Sequence, residues 1–275
     1  MLDNKRLRVA ERIVRRPRMR EVTPVVMKTK GPRRSTRLLG SPLLLLYSFI
    51  ALISLGGILL LLPIANNEPG ITPPIIAFFT ATSAVTVTGL TLVNTGEYWS
   101  SFGQGVILAL ILIGGLGFMT LATFLIIVIG QRITLPERML IRDTMGIDRL
   151  GGLAKLTKTI VVSVMIIYLI GTLFFFWRFL SFLPPEEALW QAAFHAISGF
   201  NNAGFTILPD SVSLQRFAFD LPILIFMLIL ITLGSIGWTV MVNVYRHRRF
   251  SRFTLDTKLV LTLTFVLWIL GALVM

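Results

Sequence analysis

The chain has 275 residues, of which 55% are hydrophobic and only 14% are Asp, Glu, Lys or Arg. A soluble globular protein carries about a quarter charged residues, so this composition excludes an ordinary soluble domain and a disordered chain. The absence of cysteine excludes disulfides, thiolate metal sites and cysteine nucleophiles. Because the apolar residues form runs long enough to cross a bilayer, we predict an all-α polytopic membrane protein.

The apolar runs predict about five transmembrane helices and two shorter helices. The predicted spans, in chain order, are residues 42–65, 103–130, 156–180, 217–244 and 259–275. Residues 72–85 and 186–199 are apolar but too short to cross. They are either re-entrant pore helices, which need protein or a water-filled cavity around them, or interfacial helices that cap the bundle.

Charge predicts the orientation. Residues 1–41, 131–158 and 245–258 carry 24 Lys and Arg against 7 acidic residues, whereas residues 65–104 and 178–220 carry 2 against 6. The positive-inside rule therefore places the N-terminus in the cytoplasm and both short helices on the outer side. The net charge of +13 thus marks the cytoplasmic side, although the basic N-terminus could also bind anionic membrane lipid. No aromatic platform or fold motif accompanies it, so we expect no nucleic-acid binding.

The two short helices belong to an internal repeat. AFFTATSAVTVTGLT (77–91) aligns with AAFHAISGFNNAGFT (192–206) at an offset of 115, and ILIGGLGFM (111–119) aligns with ITLGSIGWT (231–239) at an offset of 120. The predicted organisation is a basic N-terminal segment (1–41), a first helix–pore loop–helix repeat (42–130), a cytoplasmic loop (131–155), a second repeat (156–244), and a loop with the first helix of a truncated third repeat (245–275).

A glycine follows each short helix at matched positions. The two segments are Val87-Thr88-Gly89-Leu90 and Asn202-Ala203-Gly204-Phe205. Glycine permits positive φ, so successive carbonyls can turn toward one axis, and rings of carbonyls replace the hydration shell of a cation in selectivity filters. The alternative is that Gly89 and Gly204 merely end a helix. No acid, base or nucleophile arrangement typical of an enzyme is present, and no covalent cofactor is expected.

Three segments resemble a known family. TATSAVTVTGLTLVNTGEYWSSFGQG (80–105), FHAISGFNNAGFTI (194–207) and GGLGFMTL (114–121) are similar to the TrkH/KtrB potassium uptake proteins of the Trk/Ktr/HKT superfamily, over roughly residues 40–275. The resemblance implies four repeats around one pore, as in potassium channels, with Gly89 and Gly204 at the filter glycine of the first two. A serine in the first filter is associated with sodium transport in plant relatives, so Gly89 implies potassium as substrate. The family also implies a homodimer in the cell membrane and a cytosolic nucleotide-binding regulatory subunit of the TrkA/KtrA type.

The chain departs from this pattern because two loops line only half a ring. A third filter loop, an intramembrane gating loop and a fourth repeat are missing. We therefore expect potassium transport by a chain that is a fragment or combines with a second copy. The alternative is a non-conducting fragment or assembly subunit that lacks half of the pore.

Three further residues leave alternatives open. Glu97 and Asp210 lie on the predicted outer side, where they either attract cations into an outer vestibule or are ordinary solvated loop residues. His195 lies within the second short helix. It is either a proton or ion contact, as intramembrane ionisable residues often are, or a packing residue.

Overall fold

The computed structural model describes residues 43–117, 153–208 and 213–274, and its regular elements within these ranges are helices. In chain order they are α1 (Leu43–Leu61), α2 (Pro74–Val85), the short α3 (Thr95–Tyr98), α4 (Ser101–Gly115), α5 (Leu153–Phe179), α6 (Pro185–Phe200), α7 (Leu221–Ile236), α8 (Trp238–His247) and α9 (Leu255–Val274). Short 3-10 turns lie at Ser213–Phe217 and Phe250–Arg252. Both short helices predicted from the sequence are confirmed, as α2 and α6.

The helices of the two repeats, which we also call units, begin with similar N-terminal residues. Both α2 and α6 start at a proline, whose fixed φ suits a first helical turn. In α4 the Ser100 side chain caps the helix by accepting from the amide of Gly103, and in α7 the Asp220 side chain accepts from that of Ile223, both at 3.3 Å. The two caps are separated by the 120-residue offset of the sequence repeat.

The exposed fraction of the side chains distinguishes inner helices from outer ones. Much of α6 is buried, including Phe194 and Ala196 at 0% exposure. In α5, by contrast, Leu169, Leu173 and Trp177 are 58–65% exposed. Apolar faces this large are unusual on a water-soluble monomer and are expected where lipid covers the protein. The chain is a polytopic, all-helical membrane protein.

The described helices do not test the exact number of spans. By length and composition, two can cross a membrane alone, residues 157–179 of α5 and all of α9, or three if α7 and α8 form one bent span. The side chains of α1 are described only from Leu46 onward, and the second half of the predicted span 103–130 lies outside the described residues. The predicted domain boundaries likewise stay a prediction.

The predicted span 217–244 is not one straight helix. Its axis bends by 99° between α7 and α8. The break is at Gly237, which has φ +83° and ψ 151°. An L-residue with a side chain is strained at positive φ, so glycine provides the conformation that interrupts the helix. In the first unit Gly117 follows α4 with φ +74°, at the matching position of the repeat.

Glycines bring the helices of each unit together in the same way. A Cβ on Gly114 would overlap the carbonyl oxygen of Val85 at the end of α2, and a Cβ on Gly234 would overlap that of Phe200 at the end of α6. These glycines therefore allow close helix packing. Helix α4 therefore lies directly against the end of α2, and α7 lies against the end of α6. We call α2 and α6 the candidate pore helices, and α4 and α7 the candidate post-filter helices.

Candidate filter loops

Each pore helix ends in the same hydrogen-bonded turn. The first loop is residues 86–90 and the second loop is residues 201–205. The amide of Thr88 donates to the Ser83 carbonyl at 2.9 Å, and that of Ala203 donates to the Ser198 carbonyl at 2.8 Å. This six-to-one bond, together with a left-handed residue just before it, defines a Schellman C-cap. The loops therefore share one backbone design despite different side chains.

The left-handed residues that end the helices are Val87 and Asn202, with φ +54° and +59°. Gly89 and Gly204 lie two residues farther on, with φ +79° and +73°. Gly89 and Gly204 are thus not the residues that end the helices. Helix termination therefore does not explain why glycine occurs at these two positions. Asn is common at such C-caps, but a β-branched valine with positive φ is an outlier and indicates local strain held by its surroundings.

Residues with positive φ alternate with others along both loops. Thr86 and Asn201 have φ −85° and −77°, and the next positive values fall on the first and third residues after them. Residues with positive φ turn their peptide groups to the opposite side from their neighbours, so such a loop can bring successive carbonyls to one side, as in selectivity filters. Such a loop can present several carbonyl oxygens to one ion.

Most of the predicted filter carbonyls accept no hydrogen bond from the described residues. Among the described residues, no hydrogen bond reaches the backbone oxygens of residues 87–89 or 202–204. The Phe205 carbonyl differs because it accepts a hydrogen bond from the Ser198 hydroxyl at 2.8 Å. The second loop therefore offers three unoccupied carbonyls, followed by one that anchors the loop to α6.

The two loops touch through backbone atoms. A Cβ on Gly204 would lie 3.5 Å from the Cα of Gly89, and a Cβ on Gly89 would overlap the Ala203 carbonyl oxygen. The side chains of Thr86, Thr88 and Asn202 are exposed. The loops thus adjoin through their backbones, with Ala203 fully buried at the contact.

Side chains hold the two loops differently. In the first loop, the Thr86 hydroxyl bonds locally, to the Thr82 carbonyl and to the Thr88 hydroxyl. In the second, Asn201 exchanges two hydrogen bonds with the Tyr168 hydroxyl, at 2.8 and 3.1 Å. Asn202 accepts from the Ser235 hydroxyl at 3.0 Å. The second loop is therefore attached to neighbouring helices, whereas the bonds of the first loop to residues 43–117, 153–208 and 213–274 are local.

The remaining candidates have separate locations. Glu97 is an exposed residue of α3, and Asp210 lies outside the described residues. His195 is 1% exposed, with its ring edge-on to Phe179 and Phe194 and Nδ1 bonded to the Gln191 carbonyl, so its surroundings favour packing. The part of the chain that the structure describes holds no cluster of three or more His, Cys, Asp or Glu for a metal ion.

Sequence patterns missed the polar attachments of the second loop. Tyr168 and Asn201 are 33 residues apart, as are Asn202 and Ser235. The repeat could have pointed to them, because the first loop has Thr86 and Val87 at the matching positions. A polar pair in only one copy of a repeat indicates a contact that the other copy lacks.

Comparisons with known proteins show the family of the chain. The sequence matches the TrkH family, described as a cation transport protein, over residues 42–274. It is 41% identical over 226 residues to the Ktr system potassium uptake protein B of Bacillus subtilis (strain 168), covering 82% of this chain and 50% of that protein. The protein of the same name from Vibrio alginolyticus is 36% identical, with coverage of 84% and 50%. The potassium/sodium uptake protein NtpJ of Enterococcus hirae is 35% identical, with coverage of 81% and 49%. The chain spans about half the length of these curated relatives.

Proposed function

Because the chain belongs to the TrkH family of cation transport proteins, we propose that it takes part in passing potassium across a membrane through a filter of backbone carbonyls. The family and its relatives are transporters, not enzymes. The proposed filter residues are Val87, Thr88, Gly89, Leu90, Asn202, Ala203, Gly204 and Phe205. Potassium is the substrate in this proposal and not a resident cofactor.

The observation that carries the proposal is the matched backbone of the two loops. Each has two residues with positive φ, separated by one residue, directly after a pore helix. The strained Val87 gives this match weight, because a loop that only had to turn would favour glycine or asparagine there.

The arrangement suits a dehydrated monovalent cation. Carbonyl dipoles replace hydration oxygens without adding a full charge, so an ion can enter and still leave. Both α2 and α6 end at the loops, and the C-terminal end of a helix carries partial negative charge. In this proposal the Phe205 carbonyl keeps its bond to Ser198, and the ion is bound mainly by residues 87–89 and 202–204.

We extend the proposal to the location and partners of the chain. Several relatives are named potassium uptake proteins, which supports potassium as the substrate. We propose a multi-pass protein of the cell membrane with a cytoplasmic N-terminus and bound membrane lipid. In the complete assembly we propose a homodimer with a cytosolic nucleotide-binding regulatory subunit of the TrkA/KtrA type. Glu97 and Asp210 would attract cations to the outer vestibule.

A second candidate function is a non-conducting fragment or assembly subunit. The observation that favours it is that the chain spans about half the length of its relatives. Two loops provide half of a four-part ring, so a complete ring needs two more loops. Ion binding and ion passage are therefore tested separately.

Binding is tested at one carbonyl. Ala203–Gly204 is the only Ala–Gly pair in the sequence. With ¹³C-carbonyl alanine and ¹⁵N-glycine, only the Ala203 carbonyl is bonded to ¹⁵N, so its signal is selected through the ¹³C–¹⁵N coupling. We expect its chemical shift in lipid nanodiscs to respond to potassium and not to sodium at equal ionic strength. An unchanged shift, or an equal response to both ions, would contradict the filter assignment.

Passage is tested by ⁸⁶Rb uptake and growth at low potassium in a bacterial strain without its own potassium uptake systems. Uptake by the chain, lost in Gly89→Ala and Gly204→Ala variants that still reach the membrane, supports conduction. A potassium-dependent carbonyl shift without uptake supports the second candidate.

A further inference from the structure

The second loop lies between the post-filter helices of both units. Asn201 and Asn202 are adjacent, but their side chains point to different helices. A Cβ on Gly115, at the end of α4, would overlap the Asn201 side-chain oxygen. Asn202 accepts a hydrogen bond from Ser235, near the end of α7.

Asn201 has little freedom to avoid a moving α4. It is 9% exposed, and its amide donates to the Tyr168 hydroxyl at 2.8 Å and to the Ile197 carbonyl at 2.9 Å. The Tyr168 ring packs edge-on against Phe200, with centroids 5.5 Å apart. Because these hydrogen bonds hold the Asn201 side chain, a movement of α4 against it displaces the loop.

Within the part of the chain that the structure describes, the first loop shows no equivalent connection. Thr86 bonds only to its own segment among the described residues, and Val87 has no polar side chain with which to bond α4. The backbone turns of the two loops match, but their attachments do not.

We infer that Asn201 and Asn202 are positioning residues that couple the second loop to the C-terminal ends of α4 and α7. A displacement of α4 in the first repeat then acts on the loop of the second repeat as well as on its own. This inference rests on the proposed function insofar as the coupled loop is a filter. It adds that the second loop responds to motion of helices from both repeats.

The matched amides of Thr88 and Ala203 test the coupling, because each closes the turn of its own loop. Their hydrogen exchange is measured by NMR on the full chain in nanodiscs. We expect Gly115→Ala to speed exchange at Ala203 about fivefold, as for loss of one hydrogen bond, and to leave Thr88 unchanged. The control is Gly105→Ala in the same helix, where an added Cβ meets nothing within 4 Å.

A double-substitution cycle tests the bond to α7. Asn202→Gly keeps the left-handed backbone while removing the side chain, and Ser235→Ala removes the other partner. Each is expected to speed exchange at Ala203, and the double variant is expected to exchange no faster than the faster single variant. Tyr168→Phe, which keeps the ring on Phe200, tests the Asn201 attachment and should also act on Ala203 alone.

The coupling is overturned if Gly115→Ala affects Thr88 and not Ala203, or if Asn202→Gly and Ser235→Ala have additive effects. The proposed function is judged separately, in the unmodified chain. If potassium slows neither amide more than sodium does, the filter assignment fails, whereas the response to Gly115→Ala still decides the coupling.

Discussion

Gly89 and Ala203 are in backbone contact across the boundary between the two units, close enough that a Cβ on Gly89 would overlap the Ala203 carbonyl oxygen. No side chain separates the loops at this point. The backbone of one loop therefore positions the carbonyls of the other. A shift of either loop displaces both.

The first prediction concerns this contact. Gly89→Ala is expected to abolish the potassium response of the Ala203 carbonyl, because the new methyl group both occupies the space of that carbonyl and strains a backbone with φ +79°. The strain alone costs about 1–2 kcal/mol. The control is Gly70→Ala, at φ +117° with nothing within 4 Å of the added Cβ. The Gly70→Ala variant should be strained and yet keep the potassium response of the Ala203 carbonyl. If this variant also loses the response, backbone strain alone would explain the effect of Gly89→Ala.

The second prediction concerns the glycines behind the loops. Gly114→Ala and Gly234→Ala should each lower the free energy of unfolding by about 1–3 kcal/mol through overpacking, because the added carbon meets a backbone carbonyl that cannot rotate away. Gly105→Ala, in open space, should raise it by up to about 1 kcal/mol through helix propensity. Thermal unfolding followed by tryptophan fluorescence measures all three. Equal effects at Gly105 and Gly114 would contradict the close approach.

The third prediction concerns a hydrogen bond between the units. The Trp190 indole donates to the Gln104 side-chain oxygen at 2.8 Å, and Gln104 in turn donates to the Trp99 carbonyl at 2.9 Å. A double-mutant cycle with Trp190→Phe and Gln104→Met should give a coupling energy of about 1 kcal/mol. Gln104→Met should be the more damaging single change because it also breaks the bond to Trp99. A coupling energy near zero would show that α4 and α6 do not meet at this pair.

The fourth prediction concerns the bend at Gly237. Gly237→Ala has space for its Cβ but not the right backbone, so the bend should either open or cost about 1–2 kcal/mol. The chain has no cysteine, which allows spin labels at Ile225→Cys and Tyr245→Cys. The distance between them should lengthen in the Gly237→Ala background if the helix straightens. Gly271→Ala in α9, also in open space, should leave both this distance and the bend unchanged.

The sequence predicts the helices and the shared positive φ of Gly89 and Gly204 well because both have local causes. Long apolar runs define α1, α5 and α9, and the repeat alone indicates that Gly89 and Gly204 share a conformation. The bend at Gly237 was not predicted, since a glycine within an apolar run is equally compatible with close packing. Only its backbone angles distinguish the two.

The left-handed Val87 and the attachments of the second loop could not be predicted for a different reason. Local preference argues against positive φ at valine, so surrounding packing decides it. The Tyr168–Asn201 bond joins residues that are brought together only when α5 packs on α6. The alternation of φ and the unequal attachment of the loops are therefore tertiary properties.

The left-handed Val87 lowers the stability of the fold, but it also restricts the conformations of the first loop. A left-handed residue that is not glycine stores about 1–2 kcal/mol, so Val87→Gly should make the protein easier to keep folded. The same change would let the first loop sample conformations that valine forbids. A search for heat-resistant variants of this chain should therefore recover Val87→Gly readily, and those variants should discriminate less sharply between potassium and sodium.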